Sequence, residues 1–470
     1  MKLRFWIALG AELLLFGSLN FFDDWTLEWM PVRFVGCAIL CGLAYLIAVT
    51  EFETIKQNAG WIFWIVTIAL RLLALPLTPA NEVWRFQADG VIERAGLNPY
   101  EVAPSDPRLA GSIPELARIP RDDTPTAFAP GAEALFRIIP ASNNALTYKL
   151  IFGAADLLAI ALLLRLLDKQ TTAWFAWNPL IGYSFFGAAH FDSIVLLAIS
   201  ALILFLERFE QASAPLKDYP NLSPLPVGEE ANALPSPKAG TPSLSFSREE
   251  KGRMRSQESN RRSRWGFALG AGVALGIAMA FRPVCIVLLL PSLFALRRYS
   301  MALTAAIALP VALASAFHFS FSADLFGDFG QVSRLNDLFW WLIEDTILPN
   351  WHQQHYRYDV IILSVSVAIA LAFARNWRRG LLWSLGAALI LAPVLHAWYL
   401  AWILPIATWR RAFAWHFLAI TIFAYYLFYN ERLFALPWHA EPWLRGMIVL
   451  PVLFAMTVMA LQRFQRQVAT

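Results

Sequence analysis

A polytopic, all-α membrane protein is what this sequence predicts, and three observations predict it. Only 15% of the 470 residues are charged while 58% are hydrophobic. A water-soluble domain carries about a quarter charged and about half apolar residues, so lipid is the main solvent here. Apolar windows of about 20 residues, the length that crosses a ~30 Å hydrocarbon core, recur along nearly the whole chain. Basic residues cluster at the ends of those windows, so the net charge of +4 is a topology signal and not a nucleic-acid surface.

By this measure about 12–14 transmembrane helices are expected. They lie near residues 4–21, 31–50, 60–78, 146–167, 172–187, 191–207, 265–281, 283–296, 301–319, 358–374, 381–395, 397–409, 412–430 and 444–462. The first follows Met1-Lys2-Leu3-Arg4 without a small-residue cleavage pattern and reads as an uncleaved span. Cytoplasmic connections are enriched in Lys and Arg. Lys2, Arg4, Lys56, Lys169, Arg297, Arg298, Arg375, Arg378, Arg379, Arg410, Arg411, Arg463 and Arg466 fall on one side, with Arg33, Arg71 and Arg282 as exceptions. Both termini are therefore expected in the cytoplasm. Cys37, Cys41 and Cys285 sit inside apolar segments without metal-ligand company and read as packed hydrophobes.

Two long breaks divide the chain and fall on opposite sides. Residues 208–264 contain "NLSPLPVGEEANALPSPKAGTPSLSFSREEKG" and end in "RRSR". Pro, Ser, Gly and charge dominate, so this stretch is expected to be a disordered cytoplasmic linker between membrane regions 1–207 and 265–470. Its basic end suits anionic headgroups. The other break, 79–145, faces outward and mixes charges, aromatics and helical periodicity.

A short surface helix is expected over 82–95. Trp84, Ala88, Val91 and Ala95 recur at helical spacing and form an apolar stripe. Glu82, Arg85 and Asp89 share another face, with the two carboxylates roughly 10 Å apart along the axis. Gly96 and Pro99 stop the helix. Arg85 and Asp89 fit an ordinary ion pair one turn apart. They equally fit a carboxylate base with an arginine that orients it or binds phosphate.

The set "EVWRFQADG…GLNPYEVAP", formed by Glu82, Trp84, Arg85, Phe86, Asp89, Gly90, Gly96, Asn98, Pro99, Tyr100, Ala103 and Pro104, resembles the first outward loop of GT-C superfamily glycosyltransferases. The likeness is to bacterial polyprenol-phosphate-mannose-dependent mannosyltransferases. Thr126, Phe128 and Pro130 match a later Thr-x-aromatic-x-Pro block. "WNPLIGYSFFGAAHFD" supplies Trp177, Asn178, His190 and Asp192; "FRPV" supplies Arg282 and Pro283; "HAWYLAWILP" supplies His396, Trp398 and Tyr399. The likeness covers roughly two-thirds of the chain, in order. Glu82 stands where the family usually carries Asp, and Ala129 replaces a Pro.

The resemblance implies an inner (cytoplasmic) membrane enzyme of the cell envelope. It would move a sugar, mannose first, from a polyprenyl-phosphate donor to an acceptor hydroxyl with inversion. Glu82 and Asp89 are then the catalytic carboxylates. Arg85, Asn98, Tyr100, His190, Asp192, Arg282, His396, Trp398 and Tyr399 bind substrate and its phosphate. No cofactor is implied, and the partners are the bilayer, the lipid-linked sugar and a glycan or lipid acceptor. Each residue has a plainer role. His190 and Asp192 flank a helix start where Asp caps, and Arg282 can snorkel. The trio His396, Trp398 and Tyr399 suits an interfacial aromatic belt. His352 and His355, at i and i+3, have a metal-compatible spacing but no third ligand. The competing readings are a transporter or flippase of lipid-linked sugars and a GT-C-like protein without activity.

Overall fold

In the computed structural model every regular element is helical among the described residues. The structure describes the chain except residues 1–2, 26, 28, 56–58, 114–115, 120–121, 142–143, 214–247, 317–335, 348–357, 430–441 and 469–470. The helices are α1 Leu3–Ser18, α2 Met30–Phe52, α3 Ala59–Ala74, α4 Glu82–Arg94, α5 Pro130–Ile138, α6 Leu146–Leu163, α7 Lys169–Ala176, α8 Pro179–Gly182 and α9 Ser193–Ser213. They continue with α10 Arg248–Phe281, α11 Leu289–Leu296, α12 Ser300–Ala316, α13 Tyr358–Ala372, α14 Trp377–Ile390, α15 Leu404–Arg410, α16 Phe413–Thr421 and α17 Pro442–Val468.

Five helical stretches are long and apolar enough to cross a bilayer: Leu3–Phe21, Met30–Phe52, Leu146–Leu163, Arg262–Phe281 and Pro283–Thr304. Shorter apolar helices accompany them at Ala59–Ala74, Tyr358–Ala372, Phe413–Tyr429 and Trp443–Thr457. Leu14, Leu40, Trp61, Leu72, Leu158 and Phe454 expose their side chains on these helices, as a face against acyl chains requires. This is a helical membrane protein. Composition points to disorder across 208–264, yet α9 runs on to Ser213 and α10 begins at Arg248. The Arg-, Glu-, Lys- and Gln-rich text before Trp265 consists of strong helix formers, which explains the extension. Residues 214–247 lie outside the described residues.

One buried arginine organises charge inside the bundle. Arg71 of α3 meets Asp156 of α6 at 2.9 Å and donates to the carbonyl of Ala176, with Glu12 of α1 facing it. An isolated charge at this depth costs several kcal/mol, so the pair ties three helices together. At one end of α3 the Lys149 ammonium donates to the carbonyls of Leu75 and Leu77, and Asp23 accepts from the amide of Thr78. The Ala80 amide then donates to the Ala188 carbonyl at 2.9 Å. These bonds fix the direction in which the chain leaves α3, and so fix where α4 begins.

The loop helices are sunk into the protein. Gly90 presses its Cα so near α5 that a Cβ there would overlap the Phe136 carbonyl, and Gly131 lies against the backbone of Ala280 in α10. α4 buries Val83 and Phe86 with Phe136, Tyr148, Phe152 and Phe191 on one side. On the other it buries Trp84, Ala88 and Ile92 with Val102, Leu109 and Ile119. The expectation of a one-faced surface helix is therefore corrected: the polar face of α4 is covered by the rest of the 79–145 segment. Gly96 ends the element as its sequence position implies, with φ 75° and the Leu97 amide reaching back to the Ile92 carbonyl.

Candidate functional site

Two centres lie on either side of an aromatic wall. The first is built where α9 begins. A short π-helical turn, Tyr183–Gly187, breaks the preceding helix, and Ala189 takes a left-handed φ of 61°. Such a conformation costs a residue with a Cβ about 1–2 kcal/mol. It turns His190, Phe191 and Asp192 inward, where all three are buried.

Asp192 meets Arg282 in a two-pronged pair, Nε to Oδ1 at 2.7 Å and Nη2 to Oδ2 at 3.0 Å. Trp402 Nε1 donates to the same Oδ1 at 3.0 Å. The arginine is presented by its neighbour: a residue preceding proline is held extended, and Arg282 before Pro283 has φ −141° and ψ 96°. Its guanidinium also lies 4.6, 4.8 and 5.5 Å from the ring centroids of Phe191, Tyr399 and Trp402. Nη1 approaches the Tyr399 hydroxyl at 3.3 Å. Asp192 thus engages a cation with its carboxylate, and Arg282 is held inside the protein instead of snorkelling to an interface.

His190, Trp398 and His396 form a parallel stack. The His190 and Trp398 centroids are 3.7 Å apart with planes 16° from parallel, and those of His396 and Trp398 4.5 Å and 3°. His396 Nδ1 lies 2.9 Å from the Tyr425 hydroxyl. His190, Trp398 and Tyr399 are buried while His396 is half-buried. An interfacial belt would turn its rings toward headgroups; here the rings line the protein interior.

Glu82, the first residue of α4, closes this centre. Its carboxyl meets its own backbone amide and faces Asp192, with Tyr183, Tyr425, Tyr426 and Tyr429 within electrostatic reach. No cation among the described residues pairs with it. Desolvation, with the Asp192 charge adding to it, raises this carboxyl above the ordinary Glu value. An unpaired carboxylate of raised basicity is suited to taking a proton.

The second centre lies between α4 and α5. Arg85 Nε reaches both oxygens of Asp89, at 2.9 and 3.1 Å, and the Asp89 carboxylate is fully buried. Burial outweighs the arginine and pushes Asp89 up to about 6. Glu93, one turn on, and Glu133 of α5 complete an acidic group within interaction distance of Asp89. Thr126 Oγ1 donates to Glu133 Oε1 at 2.7 Å. Neither Glu93 nor Glu133 stands out in the sequence. Glu133 falls in the first turn of a helix opened by Pro130, where an acid is unremarkable.

Asn98 and Tyr100 serve the loop. Asn98 bonds Glu101 Oε1 at 2.8 Å and accepts from the Tyr100 amide at 3.0 Å; the Tyr100 hydroxyl donates to the Phe128 carbonyl at 2.8 Å. Phe191 is the wall between the centres, packed by Phe86 at 5.5 Å, Phe136 at 5.6 Å and Phe128 at 5.7 Å and overlaid by Arg282. Glu82, His190, Asp192, Arg282, His396, Trp398 and Tyr399 are therefore gathered at one centre. Arg85, Asp89, Asn98 and Tyr100 belong to the other side. No group of three His, Cys, Asp or Glu side chains among the described residues is arranged to hold a metal ion. His352 and His355 lie outside the described residues. Comparison with known families, curated proteins and solved structures gives no match to this chain.

Proposed function

We propose that the protein is a GT-C-like glycosyltransferase that moves a sugar, mannose first, from a polyprenyl-phosphate donor to an acceptor hydroxyl with inversion. The observation that carries this reading is the difference between its two candidate bases. Glu82 has no cation partner and sits beside a buried Asp192–Arg282 pair and a histidine–tryptophan stack. Asp89 is closed off in its pair with Arg85. In this mechanism Glu82 takes the proton of the acceptor hydroxyl as that oxygen attacks the anomeric carbon and the polyprenyl phosphate departs. Arg282 and His396 provide donors toward the departing phosphate. Aromatic faces at Trp398 and Tyr399 suit a sugar ring or an isoprenyl chain. In the bilayer the site opens at the outward headgroup level of an inner membrane, with 12–14 spans and both termini cytoplasmic.

The test is sugar transfer in membranes supplied with polyprenyl-phosphate mannose, compared between the parent chain and Glu82→Gln. Transfer in the parent that disappears in the variant supports the reading; no transfer in either, with protein present, rejects it. The buried Glu12, Arg71 and Asp156 favour a second reading, since charge inside a bundle marks ion or substrate pathways. A flippase of lipid-linked sugars would translocate the donor without changing it, and the same membranes distinguish the two.

A further inference from the structure

We propose that Glu133 is a positioning residue whose shared proton ties α5 to α4 and thereby holds Glu82 in place. The proposal rests on the reading of Glu82 as the base. It starts from a buried oxygen: Glu133 is fully buried, its Oε1 accepts from Thr126, and its Oε2 has no hydrogen-bond donor among the described residues. Glu93 presents its carboxyl to Glu133 across the helix interface. Two carboxylates in such contact cannot both be ionised at low cost, and a proton between them turns repulsion into a hydrogen bond. The close approach at Gly90 leaves the helices no room to separate the two groups.

The assignment of the proton follows from the partners. Oε1 receives the Thr126 hydroxyl, which leaves Oε2 as the oxygen of Glu133 without a donor and the place for a proton shared with Glu93. The other groups facing this cluster are Arg85, Asp89 and Arg94 on α4, Arg137 on α5, Tyr100 and Thr126 from the loop, and Tyr148 on α6. Arg85 pairs with Asp89 and opposes the upward shift of Glu133, and Arg94 donates to the carbonyls of Phe136, Arg137 and Ile139, binding the end of α5 to α4 by a second route. Arg94 thus ties the last turn of α4 to the end of α5, while the neighbouring Glu93 meets Glu133 in the first turns of α5.

Burial carries Glu93 up to about 7 and raises Glu133 well above the ordinary carboxylate range, with Asp89 and Glu93 adding to the shift. A carboxyl whose folded value lies above its unfolded value stabilises the fold at acid pH and loses that contribution as pH rises through the folded value. The latch is therefore complete at acid pH and weakens as pH rises through the raised folded value of Glu133.

The experiment follows amide hydrogen exchange of residues 82–94 and 130–138 in the purified full-length protein in micelles, from pH 6 to 9, with transfer measured in parallel. Comparison with Glu133→Gln at each pH cancels the intrinsic pH dependence of exchange. Gln supplies a permanent N–H donor, so at pH 9 the parent should exchange on the order of tenfold faster than the variant. Transfer by the variant should persist to higher pH. Glu133→Ala should exchange fast at every pH. Glu93→Gln removes the neighbouring charge that helps hold the proton on Glu133 and must move the transition to lower pH; it carries the same test if Glu133→Gln is not recovered folded. Equal exchange of the parent and Glu133→Gln at pH 9, or an unmoved transition in Glu93→Gln, overturns the latch. A latch that behaves as described in a protein whose Glu82→Gln variant transfers sugar normally overturns the role of Glu82 alone.

Discussion

Asp192 and Arg282, ninety residues apart in the chain, are joined by two parallel hydrogen bonds in a centre where Asp192 is fully covered and Arg282 nearly so. Removing one member of such a pair leaves a buried charge without its partner and costs ~3–5 kcal/mol. Arg282→Gln should therefore lower the unfolding midpoint in detergent as well as transfer. The double variant Arg282→Gln with Asp192→Asn should regain most of the stability. A double variant that is stable yet inactive separates a catalytic role of the pair from its structural one. Full stability of Arg282→Gln alone would mean that the pair contributes little to the fold.

The two carboxylates of α4 should respond in opposite ways. Glu82→Gln preserves shape, removes a proton acceptor, relieves a desolvated charge and leaves no cation stranded, so transfer is lost while thermal stability is kept or raised. Asp89→Asn strips Arg85 of its counter-charge inside the protein, so it should destabilise the 79–145 segment by several kcal/mol. Its effect on transfer follows that loosening. Normal transfer by Glu82→Gln with a stable but inactive Asp89→Asn would exchange the roles.

Gly90→Ala probes the helix contact directly. The added methyl would meet the Phe136 carbonyl, so α4 and α5 must move apart. Overpacking of this kind costs typically 1–3 kcal/mol, and both stability and transfer should fall together. Unchanged values of both would show that the loop helices can shift without consequence for the site.

Much of this arrangement is legible in the sequence, and the exceptions have physical causes. The helix 82–95, its stop at Gly96 and the Arg85–Asp89 pair follow from local spacing, and all three are found, the helix as Glu82–Arg94. Local spacing cannot reveal what covers a helix, which is why α4 reads as one-faced and is buried on both sides. Nor can it join Asp192 to Arg282, since their pairing depends on how α9 and α10 pack. The left-handed Ala189 carries no sequence mark, because that conformation is usually signalled by Gly or Asn. The helix before Trp265 could have been read from its Glu, Arg and Gln content; the Pro- and Ser-rich text upstream masks it.

The orientation of the site is the prediction on which the functional reading depends most. α6, Leu146–Leu163, is an apolar helix of 18 residues and so spans ~27 Å. It begins just after the 79–145 segment and ends just before Lys169, so a crossing α6 puts Ser112 and Lys169 on opposite sides of the bilayer. The enrichment of Lys and Arg on the cytoplasmic side predicts which side is which: Lys169 in the cytoplasm and Ser112 outside. A reporter active only outside should work at Ser112 and fail after Lys169, and a cytoplasmic reporter should do the reverse. Both positions on one side would mean that α6 does not cross. Ser112 in the cytoplasm, with Lys169 outside, would turn Glu82, Asp192 and Arg282 toward the wrong compartment for an outward lipid-linked donor and remove the proposed reaction.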